Sequence, residues 1–434
     1  MKIAIVGGGW AGLAAAVRAV SLGHQVTLLE MAPCLGGRAR TAQQRDRRRD
    51  NGQHILIGAY SQTLGLMRQV GVDPALALHR MPLRLVEPGG NGLALDGPSS
   101  PLAFAAAVIR HRGWSWTSRF ALLRVSAGWA ARRFNCATGM TVETLTRSLP
   151  REVRDGLIEP LCVAALNTPA SRASARVFLR VLKDALMGEA GGADLMLPRL
   201  PLTELLPRPA AQWLQVRGAA VKPGQRVTCL TRLETGWQVG GQHVDGVILA
   251  TSAKEAARLA AEHHPQWARE AAQIPHEPIT TVYLSCPGAR PKSPMSLLPR
   301  GPAQFAFDLD ALGHPHGGFA FVISAADDFK GRGRKDLAEA VVQQALDLFP
   351  AGTWPQMPQV ETVYTEQRAT FRCEPGVSRP ADRVAPGLWA AGDYVLGPYP
   401  STLEGAVRSG QSAVENLVCD AFAMQNSASR GART

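Results

Sequence analysis

The residues best suited to chemistry stand near the amino terminus, and their types match the parts of a dinucleotide. Gly7 permits a tight turn, Gly9 lets the backbone approach a pyrophosphate, and Gly12 lets the following helix pack closely with its N-terminus toward the phosphates. Glu30 comes eighteen residues after Gly12 and can accept hydrogen bonds from a ribose hydroxyl. Together these four residues predict a dinucleotide site.

The segments around these residues have the order that such a site needs. A β-branched run at 2–6 predicts a strand, and the alanine-rich stretch that includes Gly12 predicts a helix. The run at 25–30 predicts a second strand that ends on Glu30. An acid at this position disfavours the 2′-phosphate of NADP, which leaves NAD and FAD.

A second glycine pair favours FAD over NAD. Gly36, Gly37 and Arg38 come just after the acid, where FAD enzymes of the glutathione-reductase-like and amine-oxidase-like kind carry such a group. The glycines allow the backbone close to the cofactor, and Arg38 can neutralise phosphate charge. The sequence therefore predicts FAD.

The composition is that of a globular protein and excludes several classes. The 434 residues are 46% hydrophobic and 19% charged, enough for one large or two ordinary domains. The net charge of +12 comes with 40 Arg against 7 Lys, which fits either codon bias or attraction to an anionic surface. No nucleic-acid motif is present, so nucleic acid is not expected as a partner.

The cysteines and the hydropathy pattern favour the cytoplasm. Seven scattered cysteines without CxxC spacing argue against a disulfide framework or a metal site. Glycines interrupt the N-terminal apolar run, unlike a signal peptide, and no run of about 18 apolar residues predicts a spanning helix. We expect a cytoplasmic protein that rests on the inner face of the cytoplasmic membrane.

The chain alternates between two kinds of stretch, which predicts an α/β fold with a Rossmann-like FAD-binding domain and an inserted α+β substrate domain. Short strands and glycine turns assign a discontinuous FAD-binding domain to residues 1–75, 212–278 and 355–418. The intervening stretches build the substrate and membrane-facing domain, residues 76–211 and 279–354. The small polar residues of 419–434 predict a disordered tail.

Residues 97–142 form an unusual basic stretch. They contain no Asp or Glu, but several Arg, Trp and Phe. On helices, arginine can meet lipid phosphate while tryptophan sits at headgroup depth. This composition predicts a peripheral membrane anchor, and an ordinary helical lobe with an arginine-rich outer face is the alternative.

A second cofactor motif lies near the carboxyl terminus. Gly392 and Asp393 follow an apolar strand, and a helix that starts with small residues begins near Thr402. The aspartate can accept hydrogen bonds from hydroxyls on the flavin side, and a helix N-terminus stabilises an anionic reduced flavin. Ordinary helix capping by Ser401 or Thr402 is the alternative.

These paired motifs resemble the FAD-dependent amine oxidase and phytoene desaturase superfamily over the chain to about residue 418. Four blocks more narrowly resemble its squalene-associated members, the hydroxysqualene dehydroxylases: Gly-Trp-Ala-Gly at 9–15, Asn-Gly-Gln-His at 50–60, Leu-Asn-Thr-Pro at 160–169 and Gly-Asp-Tyr at 392–394. The resemblance implies squalene or hopanoid biosynthesis, in which reduced FAD converts hydroxysqualene, a long-chain isoprenoid, to squalene with loss of water.

The resemblance also implies roles for individual residues. Those that would hold the ADP half of FAD are Gly7, Gly9, Gly12, Glu30, Gly37 and Arg38, with Val227 as the mid-chain strand valine that contacts adenine. Those that would hold or flank the flavin half are Gly392, Asp393, Gly52, Gln53 and His54.

The resemblance further implies a non-covalent flavin. The cysteine that attaches flavin covalently in amine oxidases has no clear match, because Cys373 lies upstream of Gly392 without the glycine-rich context. No second GxGxxG follows a strand at the right place for a nicotinamide, so the sequence leaves the electron donor unknown.

The chemistry that the resemblance implies suggests catalytic candidates. An allylic alcohol ionises when its hydroxyl is protonated or strongly hydrogen-bonded, and an apolar cavity shields the cation from water. We predict that His54 or Tyr60 assists departure of the hydroxyl and that Tyr394 or Tyr399 lines the cavity. The alternative for His54 is a structural hydrogen bond beside the flavin.

Three other functions remain open from the sequence. A desaturase of the same fold would remove hydride from a phytoene-like carotenoid precursor. An amine oxidase or protoporphyrinogen oxidase would favour an aromatic cage or cationic steering, and neither is visible in the sequence. A non-catalytic flavin-binding membrane scaffold would need only the nucleotide motifs and the basic helices.

Overall fold

The computed structural model describes residues 1–44, 47–315, 317–329 and 331–431. Its strands are, in chain order, β1 Lys2–Val6, β2 Gln25–Glu30, β3 Thr41–Gln44, β4 Arg47–Asp50, β5 Leu56–Ile57, β6 Leu78–Met81, β7 Arg84–Val86, β8 Gly92–Ala94, β9 Leu195–Pro198, β10 Ala220–Pro223, β11 Leu230–Arg232, β12 Trp237–Val239, β13 Gln242–Val244, β14 Gly246–Leu249, β15 His276–Ser285, β16 Met295–Leu297, β17 Phe305–Asp308, β18 Phe319–Ile323, β19 Gln359–Phe371, β20 Arg383–Ala385 and β21 Leu388–Ala390.

The helices connect these strands and cover the sheets. They are α1 Trp10–Ser21, α2 Ser61–Gln69, α3 Pro74–Ala77, α4 Pro101–Arg110, α5 Trp116–Ala131, α6 Val142–Thr146, α7 Arg151–Val153, α8 Glu159–Leu166, α9 Ala175–Met187, α10 Leu202–Leu205, α11 Pro207–Val216, α12 Ala253–Ala260, α13 Pro265–Ala272, α14 Arg334–Leu348 and α15 Leu403–Gly431.

The first large sheet joins three distant parts of the chain. It has six strands in the order β10-β2-β1-β14-β21-β20, parallel except for the edge strand β20. Its central strand is buried on both faces, as expected for a parallel sheet. Ile3 and Ile5 pack with the apolar side chains of α1 and α15, whereas Ala4 and Val6 pack with those of β11–β13.

Two glycines allow the helices to come close to this sheet and to each other. A Cβ atom on Gly12 would lie 1.9 Å from the carbonyl oxygen of Gly7, so α1 packs directly on the turn after β1. A Cβ atom on Gly410 would lie 2.1 Å from the carbonyl oxygen of Ala11, so α15 crosses α1 at backbone contact. The predicted packing role of Gly12 agrees with this geometry.

The second large sheet is antiparallel and has the order β16-β17-β18-β15-β19. On one face, Val282, Leu284 and Phe321 pack against Val341 and Ala345 of α14. On the other face the sheet meets the end of β4, where the Tyr283 hydroxyl donates to the carbonyl oxygen of Asp50 at 2.9 Å.

Three local predictions from the sequence differ from the structure. Residues 359–371, assigned above to the cofactor domain, form β19 of the second sheet, because their partner is the distant β15. Residues 225–229 form no strand, and Val227 lies in an extended connection between β10 and β11. Residues 419–431 continue α15 instead of forming a disordered tail, since Ala, Met and Gln favour helix; residues 432–434 lie outside the described residues.

Asn167 of the Leu-Asn-Thr-Pro block connects α8 to the second sheet. Its backbone has a φ of +49°, a left-handed conformation that asparagine tolerates better than most residues. Its side-chain amide donates to the Thr370 hydroxyl at 2.9 Å, and its Oδ1 accepts from the backbone N–H of Ala325 at 2.7 Å. The block that carries part of the resemblance therefore has a structural role.

Replacing Asn167 separates its backbone role from its side-chain role. We expect Asn167→Ala to lower the free energy of unfolding by about 2–4 kcal/mol, because it loses both buried hydrogen bonds and strains the left-handed backbone. Asn167→Gly should cost about 1 kcal/mol less, since glycine adopts this conformation freely. Urea denaturation measures both; equal losses for the two variants would contradict the backbone contribution.

Candidate cofactor and active site

The glycine-rich turn after β1 forms a cradle for phosphates. Gly7 has a φ of +111°, which permits the turn from the strand into α1. A Cβ atom on Gly37 would lie 3.1 Å from the Cα atom of Gly9, so the two glycine motifs face each other across a space that side chains would fill. No side chain caps the first turn of α1 at Gly9. Its N–H groups and dipole suit an anionic pyrophosphate.

Glu30 is held rigidly at the end of β2. Its carboxylate accepts hydrogen bonds from the backbone N–H of Gly8 at 2.6 Å and of Ala32 at 2.7 Å. These bonds place the acid beside the glycine turn, as the sequence predicts. Its contact with a ribose hydroxyl stays a prediction.

Val227 lies near this end of the site but not in the predicted element. It is buried, and its carbonyl oxygen accepts a hydrogen bond from Arg258 Nη2 at 2.9 Å. Arg258 of α12 also donates to the carbonyl oxygen of Thr228 at 2.6 Å. The contact of Val227 with adenine remains a prediction, now on a connecting segment that Arg258 fixes.

The two distant cofactor motifs meet in an ion pair between Arg38 and Asp393. Arg38 also donates to the carbonyl oxygen of Ala369 at 2.9 Å, and 37% of its side chain is exposed. Burial alone would raise the pKa of Asp393, but the charge and hydrogen bond of Arg38 and a hydrogen bond from Ser401 hold that pKa below its usual value. The carboxylate is therefore ionised and fixed in place, so part of Arg38 serves Asp393 instead of a phosphate.

Arg379, which is not among the predicted site residues, organises the loop that follows Asp393. Its guanidinium donates to the carbonyl oxygens of Asp393 at 2.7 Å, of Gly397 and Tyr399 at 2.9 Å each, and of Val395. One side chain thus holds the loop from 393 to 399. The sequence shows Arg379 only as part of an Arg-Pro pair at 379–380. Its hydrogen-bond partners are backbone carbonyl oxygens, which a pattern of side chains cannot predict.

The Asn-Gly-Gln-His block forms the connection after β4. Asn51 links it to the second glycine motif, donating to the carbonyl oxygen of Arg38 at 2.7 Å. Gly52 is buried, and Gln53 Nε2 lies 3.5 Å from the carbonyl oxygen of His54. The block therefore lies next to Arg38, and its contact with the flavin stays a prediction.

His54 is a neutral, oriented imidazole. Its Nδ1 lies 2.9 Å from the carbonyl oxygen of Gly52, which fixes the proton on Nδ1. Burial lowers the pKa of His54, and the hydrogen bond to Gly52 only partly opposes this shift. In the resulting tautomer Nε2 is a hydrogen-bond acceptor.

Tyr60 occupies a different place from His54. It precedes α2 and lies at the start of α15, where its hydroxyl shares a hydrogen bond with Thr402. Burial raises the pKa of Tyr60, and nearby Glu404 raises it further, so the phenol stays protonated. Thr402 also caps α15, accepting from the N–H of Gly405 at 3.0 Å, so the capping alternative holds for this residue.

The remaining tyrosines of the loop differ in their surroundings. Tyr394 is buried, and its hydroxyl has no hydrogen-bond partner among the described residues. The hydroxyl of Tyr399 accepts from Arg180 Nη2 at 2.9 Å. A buried hydroxyl beside Gly392 and Asp393 that lacks a protein partner fits a site completed by a ligand.

Cys373 is a buried thiol away from solvent. Burial raises its pKa to about 12, so the thiol stays protonated and is a poor nucleophile. No group of three or more His, Cys, Asp or Glu side chains in the described part of the chain is placed to hold a metal ion. Nor does any described helix combine the length and apolar character needed to cross a bilayer.

A parallel sheet with a glycine cradle, an acid at the end of β2 and a buried carboxylate at the far end is typical of an FAD-dependent oxidoreductase. The chain belongs to the family of flavin-containing amine oxidoreductases, whose model matches residues 10–418. The cofactor is therefore FAD. The cradle between Gly9 and Gly37 and the unpartnered Tyr394 hydroxyl fit that group.

Similar proteins extend over almost the whole chain. A hydroxysqualene dehydroxylase from Rhodopseudomonas palustris is 27% identical, covering 95% of this chain and 97% of that protein. A probable zeta-carotene desaturase from Synechococcus elongatus is 24% identical, covering 96% and 98%. Among solved structures, an oxidoreductase from Methanosarcina mazei has a TM-score of 0.73 at 16% identity, covering 96% of this chain and 100% of the other. Cyclohexylamine oxidase from Brevibacterium oxydans has a TM-score of 0.67 at 18% identity, covering 96% and 98%. Both structures show the same fold.

The Arg38–Asp393 pair gives a direct test of the cofactor site. Asp393→Asn keeps the size of the side chain but removes its charge, so Arg38 loses its carboxylate and the site loses a strong acceptor. We expect FAD to bind about tenfold to a hundredfold more weakly, a loss of roughly 1.4–3 kcal/mol. The flavin-to-protein absorbance ratio after gel filtration and an FAD titration of the apoprotein measure this.

Asp420→Asn is the matched control. Asp420 pairs with the half-exposed Arg383 at 2.9 Å on the outer side of α15, and we expect its removal to leave FAD affinity unchanged. Equal FAD affinity in both variants would contradict the role of Asp393.

Proposed function

We propose that this enzyme acts on a long-chain isoprenoid and converts hydroxysqualene to squalene with reduced FAD, as a step of squalene and hopanoid synthesis. The end-to-end similarity to proteins named hydroxysqualene dehydroxylase carries this proposal. The Asn-Gly-Gln-His block supports it, because Asn51 of this block donates a hydrogen bond to the carbonyl oxygen of Arg38, which is proposed to hold FAD.

The proposed reaction replaces a C–O bond by a C–H bond. The allylic C–O bond breaks as the hydroxyl takes one proton and leaves as water, and the same carbon takes a hydride. Reduced FAD would supply both the hydride and the proton when bound, becoming oxidised FAD. The protein has to bind the hydroxyl, orient the chain and exclude water, since water would capture an allylic cation.

His54 is proposed to contact the departing hydroxyl. In the tautomer fixed by Gly52 its Nε2 accepts a hydrogen bond. With a pKa lowered by burial, the ring is neutral at cellular pH and orients the hydroxyl instead of protonating it. Tyr60 is the second proposed catalytic residue, and its protonated phenol shares its hydrogen bond with Thr402.

Apolar side chains near His54 suit an isoprenoid chain. Ile55 and Ile279 are partly buried and pack against the largest apolar cluster of the protein. Such surroundings exclude water from a reacting carbon and disfavour charged substrates.

The second candidate function is desaturation of a carotenoid precursor, which runs in the opposite redox direction. The relative named zeta-carotene desaturase and others named 15-cis-phytoene desaturase support it, because they match the chain over similar lengths. An anaerobic assay with chemically reduced FAD and hydroxysqualene, compared with oxidised FAD and phytoene, separates the two candidates.

The proposal predicts squalene as the product of the reductive assay. His54→Ala should keep FAD but lower squalene formation by at least tenfold, because the hydroxyl loses the acceptor that orients it. His243→Ala is the control, since the His243 side chain is exposed and its ring bonds the carbonyl oxygen of Thr235 in the β12–β13 region. Full turnover in His54→Ala would rule out that role, and turnover of phytoene but not of hydroxysqualene would overturn the proposed substrate.

We also propose that the protein docks on the inner face of the cytoplasmic membrane through α4 and α5. Four large apolar side chains project there into solvent: Leu102, Ile109, Trp116 and Phe120, with exposed fractions of 83%, 45%, 61% and 64%. We call them the α4–α5 surface. The Arg119 guanidinium lies 4.4 Å from the centre of the Trp116 ring. Exposed apolar residues flanked by arginine, without any acid from 97 to 142, suit an anionic lipid surface.

The α4–α5 surface predicts binding to vesicles. Trp116→Ser with Phe120→Ser should weaken binding to vesicles that contain phosphatidylglycerol by at least tenfold, because each aromatic ring contributes roughly 1.5–3 kcal/mol on burial. Val216→Ser is the control, since Val216 is 82% exposed at the end of α11. Sedimentation measures binding; a wild-type protein that stays in the supernatant with every lipid would contradict the proposal.

A further inference from the structure

Two hydroxyl groups on one face of the second sheet are buried without a partner in the described part of the protein. Thr281 Oγ1 on β15 and Tyr364 Oη on β19 make no hydrogen bond with any described residue. An unsatisfied buried hydroxyl costs roughly 1–3 kcal/mol. A native protein retains such groups where a ligand or another function requires them.

The opposite face of the same strands makes the contrast clear. Thr280 and Thr365 are also paired across β15 and β19, and their hydroxyls bond each other at 2.9 Å. On the other face, the hydroxyls of Thr281 and Tyr364 have no partner among the described residues. Both faces belong to the same two strands, so the difference in hydrogen bonding between the two pairs of hydroxyls comes from the groups that pack against each face.

The unpaired face is turned toward the Asn-Gly-Gln-His block. Thr281 Oγ1 lies 3.8 Å, and His54 Cε1 lies 3.9 Å, from the point where a Cβ atom on Gly52 would stand. Thr281 and Tyr364 are directly opposite each other in the strand register, so their side chains share this face. The Tyr283 ring, whose hydroxyl is bonded to Asp50, stands perpendicular to the Tyr364 ring at 6.3 Å.

The surroundings of the two hydroxyls are apolar. Ile279 and Tyr364 both pack against the largest apolar cluster. Burial raises the pKa of the Tyr364 phenol, so it remains a neutral donor, and threonine does not ionise. The two groups therefore offer hydrogen bonds without adding charge.

We propose that Thr281, Tyr364 and His54 together bind the hydroxyl of the substrate and select an alcohol over a hydrocarbon. An alcohol oxygen has two acceptor lone pairs and one donor hydrogen. Thr281 and Tyr364 donate to the two lone pairs, and His54 Nε2 accepts the hydrogen. These three groups fulfil the hydrogen-bonding capacity of an alcohol and hold its C–O bond beside the cofactor site.

This assignment rests on the proposed function and deepens it. Two donors on the oxygen withdraw electron density from the C–O bond, which weakens it before the hydroxyl leaves. A hydrocarbon of the same shape leaves both donors and the acceptor unpaired. A site built to hydrogen-bond a hydroxyl rejects an analogue that lacks it far more strongly than an apolar pocket rejects a change in size.

The test removes the hydroxyls without changing shape. Thr281→Val and Tyr364→Phe should fold and hold FAD like the wild type, because neither hydroxyl bonds any described residue. We expect each variant to bind hydroxysqualene about tenfold more weakly than the wild type, with squalene binding unchanged. Perturbation of the absorbance of bound oxidised FAD measures both affinities without turnover.

Thr280→Val is the matched control on the opposite face. It breaks the bond to Thr365, so we expect it to lower stability while the wild-type preference for the alcohol over squalene persists. The inference is supported if that preference collapses in Thr281→Val and Tyr364→Phe but not in Thr280→Val. It is overturned if both variants keep the preference, or if the wild type has none.

The same experiment separates the two proposals. A wild-type protein that makes squalene while Thr281→Val and Tyr364→Phe retain full alcohol preference supports the dehydroxylase function and overturns the hydroxyl site. A wild-type protein that prefers the alcohol through these residues but forms no squalene supports the site and overturns the proposed reaction.

Discussion

The ion pair between Arg38 and Asp393 is the constraint on which the rest of the site depends. It joins residues 355 positions apart, and it forms because β1, β2, β14 and β21 are parallel neighbours whose carboxyl ends meet at one edge of the sheet. In open parallel sheets that edge is where ligands bind. The glycine turn, Glu30 and Asp393 all follow such strand ends. The position of Asp393, which is proposed to hold the flavin half, is therefore a consequence of strand order, and the ion pair fixes it.

Much of the cofactor half could be predicted because its requirements belong to single residues. Gly7 has to adopt a positive φ, and at Gly12 the neighbouring backbone comes so close that a Cβ atom would not fit. Glu30 has to stand at the end of a strand. Each of these requirements favours a particular residue type at a particular position, so the spacing of the residues in the sequence is enough to predict the site. Arg38 was identified in the same way, but its partner was not, since the same guanidinium suits a phosphate or a carboxylate. Whether Arg38 contacts a phosphate or a carboxylate depends on the order of distant strands in the sheet.

The features that could not be predicted depend on long-range pairing or on backbone atoms. Residues 359–371 have the alternation of a strand, but their membership in the second sheet is decided by β15, which the sequence places some eighty positions earlier. Arg379 donates hydrogen bonds to backbone carbonyl oxygens, which every residue has, so no pattern of side chains predicts its role. Val227 was predicted to lie in a strand because the residues around it form short apolar runs, but this segment is a connection between β10 and β11. The C-terminal segment was predicted to be a disordered tail because its residues are small and polar, although its alanines favour a helix.

The direction of the redox chemistry depends on the polar groups beside the flavin, because the fold itself permits both directions. Relatives named for dehydroxylation and for desaturation match this chain with similar identity over similar lengths. Both chemistries need apolar surroundings, and the partly buried Ile55 and Ile279 pack against the largest apolar cluster. A hydrocarbon gains nothing from buried hydroxyls, and each unpaired hydroxyl costs roughly 1–3 kcal/mol. A desaturase would be more stable, and would bind its substrate better, with valine and phenylalanine where this chain has Thr281 and Tyr364. The two hydroxyls on one face of β15 and β19 therefore support the proposal that the substrate is an alcohol and not a hydrocarbon.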